Sequence, residues 1–131
     1  MKLKLILTLV AGTLLFGACK KNEHRINGTW LLTKVTQAGN DVTSTYTNGS
    51  YRETFNNEAM AYSFSGKAGK ISTGSGNYEW NSKEEFTRYA VFNYPYEAQP
   101  TVKCKVKELK RKSFKYSYTY NGEEWAFEFK R

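Results

Sequence analysis

The sequence predicts an all-β domain, folded as an antiparallel up-and-down barrel of eight strands. Three observations carry that expectation. Apolar and polar residues alternate with a period of two over most of the chain beyond residue 27, the pattern of strands covered on one face. Aromatics make up 16% of the 131 residues, with ten tyrosines and only two prolines, and such side chains suit pleated, half-buried surfaces. Asn-Gly pairs fall between runs, where a tight hairpin needs two residues of positive φ. A chain of this length forms one domain and can bury a core without disulfide or metal staples. A β-sandwich or a partly open barrel fits the same pattern; full closure alone leaves no exposed edge.

Eight strands are expected, over roughly 28–36, 50–56, 59–65, 77–82, 85–94, 101–109, 112–120 and 123–130. In "MAYSF" the residues Met60, Tyr62 and Phe64 share a face. In "FTRYAVFNY", Phe86, Ala90, Phe92 and Tyr94 lie on one side and Tyr89 and Val91 on the other. "VKCKVK" puts Val102, Cys104 and Val106 inward and Lys103, Lys105 and Lys107 outward. "FKYSYTY" groups Phe114, Tyr116, Tyr118 and Tyr120, and "EWAFEFKR" groups Trp125, Phe127, Phe129 and Arg131. Asn121-Gly122 reads as the last hairpin turn, Asn48-Gly49 as an earlier one, and Asn40-Asp41 after Gly39 as another. The Gly- and Ser-rich stretch from Gly66 to Gly76 reads as a mobile loop. No stretch has a convincing helical period.

The N-terminus has a different character. Lys2 and Lys4 precede an apolar run of fourteen residues, Leu5 to Ala18, which is signal-peptide length. It falls short of the roughly 18–20 residues that a membrane-spanning helix requires. Gly17 and Ala18 are small enough for an ordinary cleaved signal. Phe16-Gly17-Ala18-Cys19 resembles the lipobox of bacterial lipoproteins, with Phe16 where that family prefers leucine. The resemblance implies a signal peptide over residues 1–18 and acylation of Cys19, with palmitate-type chains, as the mature N-terminus. It also implies a cell-envelope location, anchored in the outer membrane with a periplasmic or surface face. Each buried methylene contributes about 0.8 kcal/mol, so several chains hold a protein where one barely does. Loss of Lys2 and Lys4 lowers the net charge from +8 to +6. Residues 19–26 read as a lipidated tether, in which His24, the only histidine, is a solvated linker residue.

A second resemblance covers residues 27–131. Gly28-Thr29-Trp30 opens the first strand, Asp41-Val42-Thr43 follows the first turn, and "GNYEW" and the closing "VKELKRKSFKYSYTYNGEEWAFEFKR" come later. Together they resemble the lipocalins and, more closely, the small lipocalin-like lipoproteins of Gram-negative bacteria. In lipocalins the motif tryptophan closes one barrel end and stacks on a basic residue of the final strand. Strand parity makes Arg131 that residue here, so the resemblance implies a Trp30–Arg131 pair. The plainer alternative is a core tryptophan beside a frayed terminus.

An eight-stranded barrel is just wide enough either to fill itself or to hold one small ligand. The inward aromatics Trp30, Tyr62, Phe64, Tyr78, Trp80, Phe92, Tyr116, Tyr118, Trp125 and Phe127 therefore either line a cavity or pack as a core. The surplus of tyrosine favours a wetter interior, since each buried hydroxyl needs a partner. The reading is a lipid-anchored binding protein for a small hydrophobic or amphipathic ligand; the alternative is a structural or interaction lipoprotein with a filled core. No catalytic site, metal or cofactor is expected. Beyond His24 there is no imidazole base, Gly74-Ser75-Gly76 lacks the strand-to-helix setting of a nucleophile elbow, and the adjacent Glu84 and Glu85 point to opposite faces.

Cys104 reads as a small core residue, or as a disulfide partner of Cys19 if the latter is not acylated. Lys103, Lys105, Lys107, Lys110, Arg111 and Lys112 concentrate positive charge, suited either to anionic lipid or glycan or simply to a soluble strand face. Nucleic acid is not expected as a partner, and the sequence leaves the oligomeric state open. Asn27-Gly28-Thr29 and Asn48-Gly49-Ser50 fit a glycosylation sequon but read as turns and strand starts. Intact mass of the reduced, membrane-extracted protein should equal the chain from Cys19 onward plus acyl groups. A mass matching unmodified Cys19 would remove the anchor.

Overall fold

The computed structural model describes residues 22–69, 71–92 and 101–131; at 71, 72 and 90–92 it describes the backbone alone. The expected Cys19 anchor and signal peptide, and the Phe92 and Tyr94 side chains, lie outside the described residues. The fold is a closed antiparallel β-barrel. Its strands are β1 (Gly28–Gln37), β2 (Asn40–Asp41), β3 (Arg52–Asn56), β4 (Ala61–Ala68), β5 (Ile71–Ser82), β6 (Glu85–Phe92), β7 (Thr101–Leu109), β8 (Ser113–Tyr120) and β9 (Glu123–Lys130). Pairing runs β1-β3-β4-β5-β6-β7-β8-β9 and returns to β1, an eight-strand ring on which the two-residue β2 is an extension of β1. β1 serves two neighbours along its length: Gly28 to Leu31 pair with β3, and Leu31 to Gln37 pair with β9. A bulge between Leu32 and Lys34 shifts the alternation, so that Val35 follows Trp30 and Leu32 into the core.

Three expectations need correction. Residues 66–76 are mostly strand rather than loop: β4 continues to Ala68 and β5 starts at Ile71. Gly66 sits at a bulge with φ +91°, where a Cβ would lie 2.3 Å from the Ser50 carbonyl oxygen, so backbone approach and not mobility explains this glycine. The first turn is Ala38-Gly39, and Asn40-Asp41 pair back onto β1; Asn48-Gly49 form a bend in which the Asn48 side chain accepts from the Ser50 amide at 3.2 Å, not a hairpin. Helix is also present. Residues 43–46 make one helical turn, and residues 22–26, expected as tether, are helical and packed on the barrel with Ile26 fully buried. Asn121-Gly122 is the tight turn expected, with both φ values positive.

The strand ends that carry Gly28, Asn56, Ser82, Leu109 and Lys130 form one end of the barrel, called here the lower end. Helical residues 22–26 lie across it: Asn22 donates to the Lys83 carbonyl, and Arg25 Nη1 donates to the Leu109 carbonyl at 3.4 Å. Inside, Trp30, Phe55, Phe86, Phe114 and Tyr78 are almost wholly buried, with ring centroids 5.2–6.3 Å apart in mostly tilted and edge-to-face contacts. Aromatic pairs of this kind contribute about 0.5–1.5 kcal/mol each beyond area burial. The lower half of the lumen is a filled core.

Trp30 and Arg131 close that end. The Trp30 indole donates to the Ile26 carbonyl at 2.8 Å, and the Arg131 guanidinium carbon lies 4.0 Å from the Trp30 ring centroid. Arg131 also donates to the carbonyls of Asn27, Arg25 and Arg111 at 2.6, 3.0 and 2.7 Å. Gly28, with φ +121°, leaves room for this: a Cβ there would approach Arg131 Nη1 to 3.0 Å. Replacing Arg131 with alanine removes one cation–π contact and three charge-assisted hydrogen bonds at a partly exposed site. Thermal unfolding of Arg131→Ala should show a loss of about 1–3 kcal/mol. An unchanged melting temperature would mean the contact adds nothing.

Candidate functional site

Above the filled half, the lumen changes chemistry. The alternation that turns Phe55 inward on β3 also turns Glu53 inward, and the one that turns Phe86 inward on β6 does the same to Arg88. β3 and β6 are not neighbours in the ring, so the two charges meet across the lumen. Glu53 is fully buried and Arg88 is 9% exposed. Arg88 Nη1 lies 3.4 Å from Glu53 Oε2 and 3.0 Å from the Tyr116 hydroxyl, and that hydroxyl in turn donates to Glu53 Oε1. Three strands are thus tied together through the barrel interior by one polar knot. Around it the Arg88 guanidinium carbon lies 5.5, 6.0 and 5.8 Å from the rings of Tyr62, Tyr116 and Tyr118.

Burial pushes the Glu53 carboxyl above its usual range, against the pull of Arg88 and of the Tyr116 hydrogen bond. Arg88 keeps its charge at any ordinary pH, so protonating Glu53 would leave that buried charge without its counter-ion. At neutral pH the pair is therefore ionised, and its net charge is zero. The hydroxyls of Tyr51, Tyr62, Tyr116 and Tyr118 are all raised by burial, that of Tyr46 to about 12. Burial raises the free Cys104 thiol to about 12 as well. These groups stay protonated, as hydrogen-bond donors and not nucleophiles.

Two donors in this layer are unmet. Arg88 Nε and the Tyr62 hydroxyl are buried and make no hydrogen bond among the described residues. A buried donor left this way costs about 1–3 kcal/mol, so such atoms call for a specific reason. The wall beside them is thin in side chains: on β5 the inward positions 74 and 76 are glycines, in register with Phe64 and Tyr62. Higher still, Tyr46, Tyr118 and Trp125 are only half-buried and pack on Phe127, at 6.0, 5.2 and 6.5 Å between centroids. Tyr51 and Phe64 face each other at 6.1 Å on the other side. The upper lumen is thus aromatic above and polar below.

The expected lining residues divide by height. Trp30 and Tyr78 belong to the packed lower core, and Trp80 is half-buried at its rim against Phe86. Tyr62 and Tyr116 belong to the polar layer, and Phe64, Phe127, Tyr118 and Trp125 to the aromatic upper part. Glu53, Arg88, Tyr46 and Tyr51 are absent from the expected set, although a charged residue at an inward position of two strands was a readable signal. Outside, Lys103, Lys105 and Lys107 are exposed, and an open groove of about 550 Å³ runs along Ser82, Glu84, Glu85, Lys105, Val106 and Lys107.

Among the described residues no helix is long and apolar enough to cross a membrane, and no three His, Cys, Asp or Glu side chains gather as a metal site. The chain is an eight-stranded antiparallel barrel protein with an ion pair in its lumen. No protein-family model matches it, and no curated protein does.

Removing one partner of a buried pair strands the other charge, at a cost of about 3–5 kcal/mol, whereas removing both spares that penalty. Urea unfolding should show Glu53→Leu and Arg88→Met each strongly destabilised. The double variant should be less destabilised than the sum. Additive losses would mean that the two side chains are not coupled.

Proposed function

We propose that this is a lipid-anchored envelope protein of lipocalin-like build, whose upper lumen holds one small amphipathic molecule. The observation that carries the reading is the pair of orphaned donors, Arg88 Nε and the Tyr62 hydroxyl, buried beneath an upper lumen lined by aromatic rings. A ligand acceptor placed between the ring layer and the ion pair would satisfy them, while its apolar part lay against Phe64, Tyr118, Trp125 and Phe127. Because Glu53 already balances the charge of Arg88, the site suits an uncharged acceptor such as a hydroxyl or carbonyl better than a carboxylate. The ten expected lining residues narrow accordingly to those of the upper half, with Trp30 and Tyr78 serving as the floor. The protonated tyrosines and thiol supply no nucleophile at neutral pH, so the reading is binding and not catalysis.

A second reading has its own support: the packed lower core and the internally paired ions favour a structural or interaction lipoprotein whose lumen holds nothing. Tyr62→Phe separates the two. It deletes only a hydroxyl that has no partner among the described residues, so the melting temperature should hold or rise. If a long-chain alcohol or monoacylglycerol uses that donor, its affinity, read by tryptophan fluorescence or native mass spectrometry, should fall about 2- to 10-fold. Failure of the parent domain to take up any amphiphile would leave the filled-lumen reading in place.

A further inference from the structure

We propose that the lower end of the barrel rests on an anionic phospholipid surface, with the upper mouth turned away from the bilayer that holds the anchor. The inference depends on acylation of Cys19 and is independent of whether the lumen binds a ligand. Its first support is where the chain leaves the domain. Helical residues 22–26 are fixed across the lower end, by Asn22 on the Lys83 carbonyl at one side and Arg25 on the Leu109 carbonyl at the other. Only three residue steps separate Cys19 from Asn22, a reach of at most about 10 Å. That is close to the Debye length of roughly 8 Å at physiological ionic strength, so charges at the lower end lie within the field of the headgroups. The mouth is roughly 20–25 Å farther along the strands, at about 3.3 Å per residue, and lies beyond it.

The second support is charge. The β7–β8 turn is Lys110-Arg111-Lys112, all exposed. Arg131 bonds the Arg111 and Arg25 carbonyls, which joins that turn, the last strand and the helical segment into one basic surface. Glu108 is the acid beside it and is committed to Lys110 at 3.1 Å and to the Ser113 hydroxyl at 2.9 Å, leaving Arg111 and Lys112 without an acidic partner among the described residues. The lower end also carries Glu23, Glu58, Glu84 and Glu85, so its positive charge is gathered at the β7–β8 corner beside Arg25 and Arg131, and that corner lies at the end nearest the anchor.

The test uses the acylated full chain in vesicles of phosphatidylcholine alone or mixed with phosphatidylglycerol. A fluorescent label is placed on Glu58→Cys, in the exposed β3–β4 turn at the lower end, or on Glu124→Cys at the mouth. With a quencher on the lipid headgroups, quenching at position 58 should be several-fold that at 124 in the anionic vesicles. The triple variant Lys110→Glu, Arg111→Glu, Lys112→Glu should lose that difference while staying vesicle-bound through its acyl chains. Equal quenching at both positions in the parent protein overturns the docking, as does a preference for 58 that is the same with phosphatidylcholine alone or that survives charge reversal. A native product with no acyl mass overturns the anchor itself, and is distinguishable because that protein would not stay with the vesicles at high salt.

Discussion

The pairing of β1 with β9 is the constraint on which everything else in the domain depends. An antiparallel meander left open would present two long edges with unpaired amides and carbonyls, each able to recruit another chain. Here β1 satisfies that need by dividing its length between β3 and β9, and the bulge at residue 33 lets it bend from one neighbour to the other. Closure fixes the radius of the lumen. At eight strands that radius leaves space for side chains and little more, so what the interior does is decided by which residues point inward at each height.

Read by height, the inward residues form three layers of different chemistry. The lowest is a set of interlocked rings that holds the sheet in shape and stops any molecule from passing through. The middle layer holds an ion pair and a tyrosine that bind β3, β6 and β8 to one another across the lumen. The upper layer keeps its rings only half-covered. The layers should therefore fail differently: deletions low in the barrel leave cavities, single losses in the middle layer leave a buried charge unpaired, and changes higher up act on rings that are only half-covered. The price of the middle layer is desolvation of two full charges, which hydrophobic residues of similar size would avoid.

The fold was largely legible because alternation survives wherever one face is covered. "VKCKVK" and "FKYSYTY" announce their faces without help, and Asn121-Gly122 announces its turn. β5 was only half legible: Thr73 to Gly76 offer no apolar residue to mark a face, and pairing with β4 and β6 on both sides imposes strand on a stretch whose local preference is for loop. The helical residues 22–26 were illegible for a related reason, since five polar-rich residues with one buried isoleucine carry no period to read. The site was missed in its charged half. Inward aromatics are sought in a barrel and are found, whereas Glu53 and Arg88 carry the inward parity of Phe55 and Phe86 without their hydrophobicity, a signal that is there to be read but easily passed over.

The grip of Arg131 on Asn27 and on the Trp30 ring joins groups 104 and 101 positions apart. Of the two neighbours of β1, β3 lies close behind it in the chain and β9 far along it, so the ring can shut only after β9 has emerged. Contacts between segments so distant in sequence are slow to form, and the seam between first and last strand should set the pace at which the domain folds.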